Sequence, residues 1–146
     1  MIIFEFMKIL IINGPNLNLL GKREPELYGH QDFDSYFGNL QFEMKKVELS
    51  RFQSNSEAEL IEALQKSPEK YEGVVLNAAA YTHTSIALAD AVRAISIPVV
   101  EVHISNIYQR EKFRQQSYIA PYAKGVITGF GLKSYELAVR SLLENE

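Results

Sequence analysis

An arginine and a tyrosine follow the first apolar stretch of the chain, where Arg23 and Tyr28 lie between Gly21 and Gly29. Ionising a tyrosine at neutral pH costs roughly 4 kcal/mol, and a neighbouring guanidinium favours the anionic form. The resulting phenolate would suit a general base that removes a proton from carbon beside a ketone. The glycines are candidate hinges for closing this segment over a ligand. An ordinary surface loop with Tyr28 as a packing anchor is the alternative, and these residues alone leave both open.

A histidine follows a second apolar stretch, where Glu101 and His103 stand two positions apart. Histidine titrates near neutrality and can donate a proton to a departing hydroxyl, and a carboxylate beside it can fix its tautomer. A histidine that is simply hydrogen-bonded at a strand end is the alternative. Arg110 and Arg114 come next, and either could hold a substrate carboxylate through paired hydrogen bonds, although surface charge is the default interpretation for Arg110.

Asn77 and His83 belong to a third polar segment, which leads into a helical pattern. Amides and hydroxyls at the start of a helix can hold oxygen-rich ligands. His83 on its own is more typical of a capping or hydrogen-bonding residue than of a ligand contact. Asp90 lies on a mostly apolar helix face, which suits an interface or a neighbouring site better than unpaired burial.

The elements that must position these residues alternate along the chain. Short runs rich in Ile and Val are typical of parallel strands covered on both faces, and a weaker alternating run adds one more strand. The predicted strands are residues 8–12, 47–53, 74–76, 98–102 and 125–127. Apolar residues near the 3.6 period predict helices, at residues 33–44, 57–66, 85–95 and 134–143.

This alternation over 146 residues predicts the α/β class. The expected architecture is one flavodoxin-like, doubly wound, five-stranded parallel sheet in the order 2-1-3-4-5, with helices on both faces. Ligands in such sheets bind at the carboxyl ends of the strands, at the switch point between the first and third strands. The three polar segments follow those strands. We therefore expect a single catalytic domain over residues 1–146, with residues 1–6 as a short N-terminal extension.

Composition narrows the classes of partner. Hydrophobic residues at 47% and charged residues at 23% are ordinary for a globular domain, and a net charge of −3 gives no general attraction to nucleic acid or to anionic membranes. The sequence has no cysteine, which excludes disulfides and thiolate chemistry and fits a cytoplasmic location. The apolar start lacks the pattern of a signal peptide. A small molecule is the expected partner.

Five motifs with joint spacing resemble the type II 3-dehydroquinate dehydratases, and the match extends over nearly all of residues 7–143. The motifs are 14–29 (GPNLNLLGKREPELYG), 53–61 (QSNSEAELI), 81–85 (YTHTS), 101–106 (EVHISN) and 110–114 (REKFR). The resemblance implies a lyase of the shikimate pathway that removes water from 3-dehydroquinate, through an enolate, to give 3-dehydroshikimate. It implies no cofactor and no metal.

The resemblance also implies roles for particular residues. Tyr28 is expected to remove the proton beside the ketone, and Arg23 to favour its phenolate form and stabilise the developing charge. Asn16 is expected to help hold a water against the enolate oxygen. His103 is expected to protonate the leaving hydroxyl, with Glu101 in support.

Further residues resemble the contacts to ring hydroxyls and to the carboxylate; they are Asn77, His83, Ile104, Ser105 and Arg114. Asp90 resembles a residue that reaches the site of an adjacent subunit, which implies a trimer as the working unit and a dodecamer of four trimers. Two departures from the family pattern stand near the site. Ala79 replaces a frequent glycine, and the pair Gln115 and Gln116 replaces more usual histidines.

Other functions are compatible with this fold. A flavodoxin-like small-molecule or nucleotide-binding module without catalysis is the main alternative, but it should carry a phosphate-binding loop after the first strand, where Asn16 and its neighbours offer none. A signalling receiver needs acidic residues where Asn13 and Asn77 stand. A metal hydrolase lacks ligand pairs with useful spacing. Dehydration through a Schiff base needs a buried lysine, and the lysines near the polar segments fall in polar surroundings.

Overall fold

The computed structural model describes residues 6–143, in which five parallel strands form one sheet. The strands are Met7–Asn13 (β1), Val47–Gln53 (β2), Gly73–Asn77 (β3), Val99–His103 (β4) and Gly125–Thr128 (β5). Their order is β2-β1-β3-β4-β5, which confirms the prediction. The predicted N-terminal extension lies, apart from its last residue, outside the described residues.

Helices cover both faces of the sheet, as predicted. The α-helices are Pro25–Tyr28 (α1), Phe33–Glu43 (α2), Glu57–Lys66 (α3), Ile86–Ala94 (α4) and Lys133–Leu143 (α5). Short 3-10 turns occur at Leu17–Leu19, Ser67–Glu69, Ala79–His83, Ile107–Gln109, Lys112–Gln115 and Ala120–Tyr122. No helix in the described part of the chain is long and apolar enough to cross a membrane.

Local sequence explains where the longer helices begin. The side chains of Asp32, Ser56 and Ser85 each accept a hydrogen bond from a backbone amide three residues ahead. These bonds satisfy amides that have no partner within the helix. The capping residues therefore fix where α2, α3 and α4 start, and α4 follows the third polar segment along the chain.

Alternate residues of β1 enter two separate apolar clusters, one on each face of the sheet. Ile9 and Ile11 pack with residues of α2 and α5, whereas Leu10 and Ile12 pack with residues of α3 and α4. Burying such a side chain contributes about 1.5–3 kcal/mol. Both faces of the central strands are thus covered, which leaves their carboxyl ends as the place where polar groups can gather.

The carboxyl ends of β1 and β3 lie side by side. Asn13 pairs in register with Asn77, and the Gly14 amide donates to the Asn77 carbonyl oxygen at 2.7 Å. A Cβ atom on Gly14 would stand 2.6 Å from the carbonyl oxygen of Ala78, so only glycine permits this approach. From this switch point the chain continues into a long connection, residues 14–32, which we call the first loop.

Candidate active site

A polar cavity of about 270 Å³ opens at the carboxyl ends of β1, β3 and β4. This is the edge of the sheet at which the sequence predicted a ligand site. Most of the predicted site residues line it, namely Asn16, Arg23, Tyr28, Asn77, His83, His103, Ile104, Ser105 and Arg114. Arg110 lines it as well. Asn77 and His103, at the ends of β3 and β4, form what we call the cavity floor, whereas Glu101 contacts His103 and does not line the cavity.

His103 is held on the cavity floor by a chain of hydrogen bonds. Its Nε2 lies 2.6 Å from Oε2 of Glu101, and both side chains are buried. The hydroxyl of Ser117 donates to the other carboxylate oxygen of Glu101 at 2.6 Å. The amides of Ile119 and Ala120 donate to that hydroxyl, so its proton must point to Glu101. Glu101 is therefore hydrogen-bonded to His103, and Ser117 extends this chain of bonds.

His83 stands beside His103, with ring centroids 6.1 Å apart and planes 20° from parallel. Its Nδ1 donates to the backbone oxygen of Gln116 at 2.7 Å. Burial lowers the pKa of His83, against a smaller opposing effect of the Gln116 carbonyl. His83 is therefore neutral at pH 7. Because the contact uses the main chain of Gln116, a glutamine in place of the usual histidine leaves this contact available.

Two hydrogen bonds hold the side chain of Asn77 at the end of β3. Its Nδ2 donates to the hydroxyl of Tyr135 at 2.9 Å, and its Oδ1 accepts from the amide of Ala79 at 3.1 Å. Ala79 has φ of 53°, in the left-handed region where a Cβ costs about 1–2 kcal/mol. The replacement of glycine by Ala79 thus leaves a strained backbone beside Asn77.

The hydroxyl of Tyr28 is contacted by Arg110. The guanidinium Nη1 of Arg110 donates to it at 2.8 Å and to the Ser105 hydroxyl at 3.4 Å. The Cζ atoms of Arg23 and Arg110 each lie 5.6 Å from the centre of the Tyr28 ring. The default interpretation of Arg110 as surface charge is wrong. Arg23 lies near the ring as expected, but the hydroxyl is bonded to a different arginine.

The remaining groups of the first loop are held more loosely. Arg23 lies 3.6 Å from the carboxylate of Glu24, and both side chains are more than two-fifths exposed. Asn16 has φ of 70°, and its amide donates to the side chain of Asn55 at 3.0 Å. Asn55 therefore ties the loop after β2 to the first loop.

The arginines that line the cavity give it a positive charge. Three arginines line it, whereas none of the described residues that line it is Asp or Glu. The chain as a whole carries a net charge of −3, so the positive lining is local. Guanidinium groups bind carboxylates and other anions through paired, charge-assisted hydrogen bonds, so the lining favours an anionic ligand.

Asp90 does not line the cavity. It is exposed on α4. The structure adds Arg110, Ser117, Tyr135 and Asn55 to the network around the cavity. Arg110 and Asn55 lie in two of the five motifs, whereas Ser117 and Tyr135 lie outside them and carried no signal in the sequence.

A doubly wound sheet with a small polar cavity at its switch point is typical of flavodoxin-like proteins that bind a small molecule. The model of the family Dehydroquinase class II matches residues 7–143. The chain is 55% identical to the 3-dehydroquinate dehydratase of Exiguobacterium sp. over 95% of this chain and 96% of the relative. It is 53% identical to the 3-dehydroquinate dehydratase of Bacillus subtilis, over 94% of each chain.

A solved structure gives the same result. The crystal structure of the type II dehydroquinase from Butyrivibrio crossotus superposes with a TM-score of 0.92 at 41% identity, covering 95% of this chain and 99% of that one. The chain belongs to the class II dehydroquinase family. The predicted family and fold are thereby confirmed.

Proposed function

We propose that this chain is a hydro-lyase that removes water from 3-dehydroquinate, through an enolate, to give 3-dehydroshikimate. Curated relatives at more than 50% identity carry the name 3-dehydroquinate dehydratase. They favour this function over a nucleotide-binding module without catalysis.

One observation supports the chemistry above all others: a tyrosine hydroxyl bonded to a guanidinium and a histidine bonded to a carboxylate line the same cavity. A dehydration beside a ketone needs both a base for the C–H proton and an acid for the departing hydroxyl. Tyr28 as phenolate would be the base, and His103 as imidazolium would be the acid.

The hydrogen bonds define which proton His103 can deliver. Its Nε2–H is held by Glu101, so the proton given to the leaving hydroxyl would come from Nδ1. The buried carboxylate of Glu101 would stabilise the imidazolium while Ser117 keeps that carboxylate oriented. Loss of the proton to the hydroxyl releases water and returns His103 to its neutral form.

Charge on the enolate oxygen would be stabilised from the first loop. Arg23 contributes a guanidinium, and Asn16 helps to hold a water against that oxygen. Arg110 donates to the Tyr28 hydroxyl, so we assign it the larger part in positioning that oxygen. The substrate carboxylate would be bound by Arg114 together with the backbone and hydroxyl of Ile104 and Ser105.

Ring hydroxyls would be bound by Asn77 and His83. His83 is neutral at pH 7 for the reasons given above, and its Nδ1–H is already donated. Its Nε2 is therefore an acceptor, so we expect it to receive a hydrogen bond from a substrate hydroxyl rather than to donate one.

We further propose a trimer as the working unit and a dodecamer of four trimers, both from the family resemblance. Asp90 is exposed on α4, as a residue that reaches a neighbouring subunit's site must be. Light scattering of the purified protein tests the assembly, and a monomer with full activity would contradict it. A cytoplasmic location stays an expectation from the cysteine-free composition.

The deciding experiment mixes the purified protein with 3-dehydroquinate and follows the conjugated enone of the product by ultraviolet absorbance. We expect turnover after treatment with EDTA and no inactivation by borohydride in the presence of substrate, because neither a metal nor a Schiff base is needed. An inactive wild type would overturn the proposed function, and irreversible inactivation by borohydride would overturn the enolate route.

A further inference from the structure

We propose that Tyr135 is a positioning residue that sets which way the carboxamide of Asn77 faces in the cavity. The inference rests on the proposed function, in which Asn77 contacts the substrate. Tyr135 lies on α5, in the apolar cluster that also contains residues of β1 and α2, and does not line the cavity.

The Tyr135 hydroxyl bridges the ends of the two central strands. It donates to Oδ1 of Asn13 at 2.7 Å and accepts from Nδ2 of Asn77 at 2.9 Å. These two asparagines are register partners in β1 and β3. Tyr135 is wholly buried, and its ring packs edge-on against Phe33 at 5.1 Å. The bridging hydroxyl is therefore held at one place.

Counting donors and acceptors fixes the orientation of Asn77. A phenol has a single proton, and burial raises the pKa of Tyr135, so the proton stays. The amide of Ala79 must donate to an oxygen, which places Oδ1 of Asn77 on that side and Nδ2 towards Tyr135. The hydroxyl of Tyr135 then donates its hydrogen bond to Oδ1 of Asn13. One amide proton and one lone pair of Asn77 are left for a ligand.

The variant Tyr135→Phe removes only the hydroxyl. Nδ2 of Asn77 and Oδ1 of Asn13 then lose their partner, and the carboxamide is held by Ala79 alone. We expect KM for 3-dehydroquinate to rise about three- to ten-fold, the size of one neutral hydrogen bond, with a smaller change in kcat.

Tyr36→Phe is the matched control. The Tyr36 ring lies 6.2 Å from that of Tyr135, in the same apolar cluster. Its hydroxyl is buried and has no well-formed hydrogen bond among the described residues. The control therefore removes the same atom without a hydrogen bond, and we expect its kinetic constants to equal those of the wild type.

A double variant separates positioning from a loss of stability. If Tyr135 acts through Asn77, Tyr135→Phe lowers kcat/KM in the wild-type background but not in Asn77→Ala, with all assays well below each variant's Tm. Equal kcat/KM for Tyr135→Phe and wild type would overturn the proposal. The same fold-loss in both backgrounds would also overturn it.

A second readout does not depend on catalysis. The side-chain amide protons of Asn77, identified in an NMR spectrum by their loss in Asn77→Ala, should exchange slowly with water in wild type and in Tyr36→Phe. They should exchange faster in Tyr135→Phe, and unchanged exchange would overturn the inference. An inactive wild type would defeat the proposed function, whereas this measurement would still decide the role of Tyr135.

Discussion

The cavity floor and the first loop present polar groups to the same cavity in different ways. On the floor, His103 and its partner Glu101 are buried, and their hydrogen bonds leave one arrangement of donors and acceptors. On the first loop, the side chain of Arg23 is 41% exposed, and Tyr28 is bonded through its hydroxyl to Arg110, a residue outside that loop.

The difference shows how the two halves of the proposed reaction depend on the fold. The acid is oriented before any ligand arrives, because the interior of the protein holds it. The base depends on where the first loop lies relative to Arg110. Catalysis should therefore be more sensitive to changes that separate Tyr28 from Arg110 than to the loss of one hydrogen bond that supports His103.

Replacing the proposed base should have the largest effect. Tyr28→Phe removes the hydroxyl that would take the proton, and we expect kcat to fall on the order of 1000-fold or more, with folding intact by circular dichroism. Tyr71→Phe is the control, since Tyr71 does not line the cavity. If Tyr28→Phe turned over substrate at near the wild-type rate, Tyr28 would not be the base, and a residue of the cavity floor would have to be.

Lysine substitutions distinguish the two arginines near Tyr28. Arg110→Lys keeps the charge but loses the planar donor that reaches the hydroxyl, and we expect kcat to fall on the order of 100-fold. Arg23→Lys should also lower kcat, because Arg23 is proposed to stabilise the enolate. It removes no hydrogen bond to the Tyr28 hydroxyl, which is bonded to Arg110. Arg140→Lys, in a surface pair with Glu136, should change nothing. Unaltered kinetics in Arg110→Lys would mean that its contact with Tyr28 is not used.

A change in the residues that support His103 should lower kcat by less. Ser117→Ala removes one of the two hydrogen bonds that orient Glu101, so we expect kcat to fall about three- to ten-fold. Ser141→Ala serves as the control, because its hydroxyl donates only to a carbonyl one turn earlier in α5. If kcat fell as far as in Tyr28→Phe, the position of His103 would depend on single contacts as strongly as that of Tyr28, contrary to the comparison above.

The smallest effect concerns stability rather than rate. Since burial lowers the pKa of His83 below 6.5, the unfolded chain binds a proton at higher pH than the folded one. The free energy of unfolding should therefore fall as the pH drops from 7 through about 6.5. Urea unfolding of His83→Gln should show a shallower decline, and parallel curves for the two proteins would contradict it.

The sheet and its helices could be predicted because their signals are local. Runs of Ile and Val marked β1 and β3, the 3.6 period marked α5, and Ser56 marked the start of α3. Connection rules for alternating elements then allowed the strand order. Capping and periodicity act within a few residues, so a single sequence contains them.

The partners of the site residues were harder to predict because they come from distant parts of the chain. Arg23 and Tyr28 are close in sequence, yet the hydroxyl of Tyr28 is bonded to Arg110. Ser117 and Tyr135 look like ordinary residues of a turn and a helix. Their roles depend on which buried group each one meets, and periodicity carries no information about that.

The bridge from Tyr135 to Asn13 joins residues 122 positions apart. On the ribosome, β1 and β3 emerge long before α5, so the two asparagines must wait for that helix before their side chains are locked. Closing so long a separation is slow compared with forming local turns. The side chains of Asn13 and Asn77 should consequently reach their native orientation only after α5 has packed against the sheet.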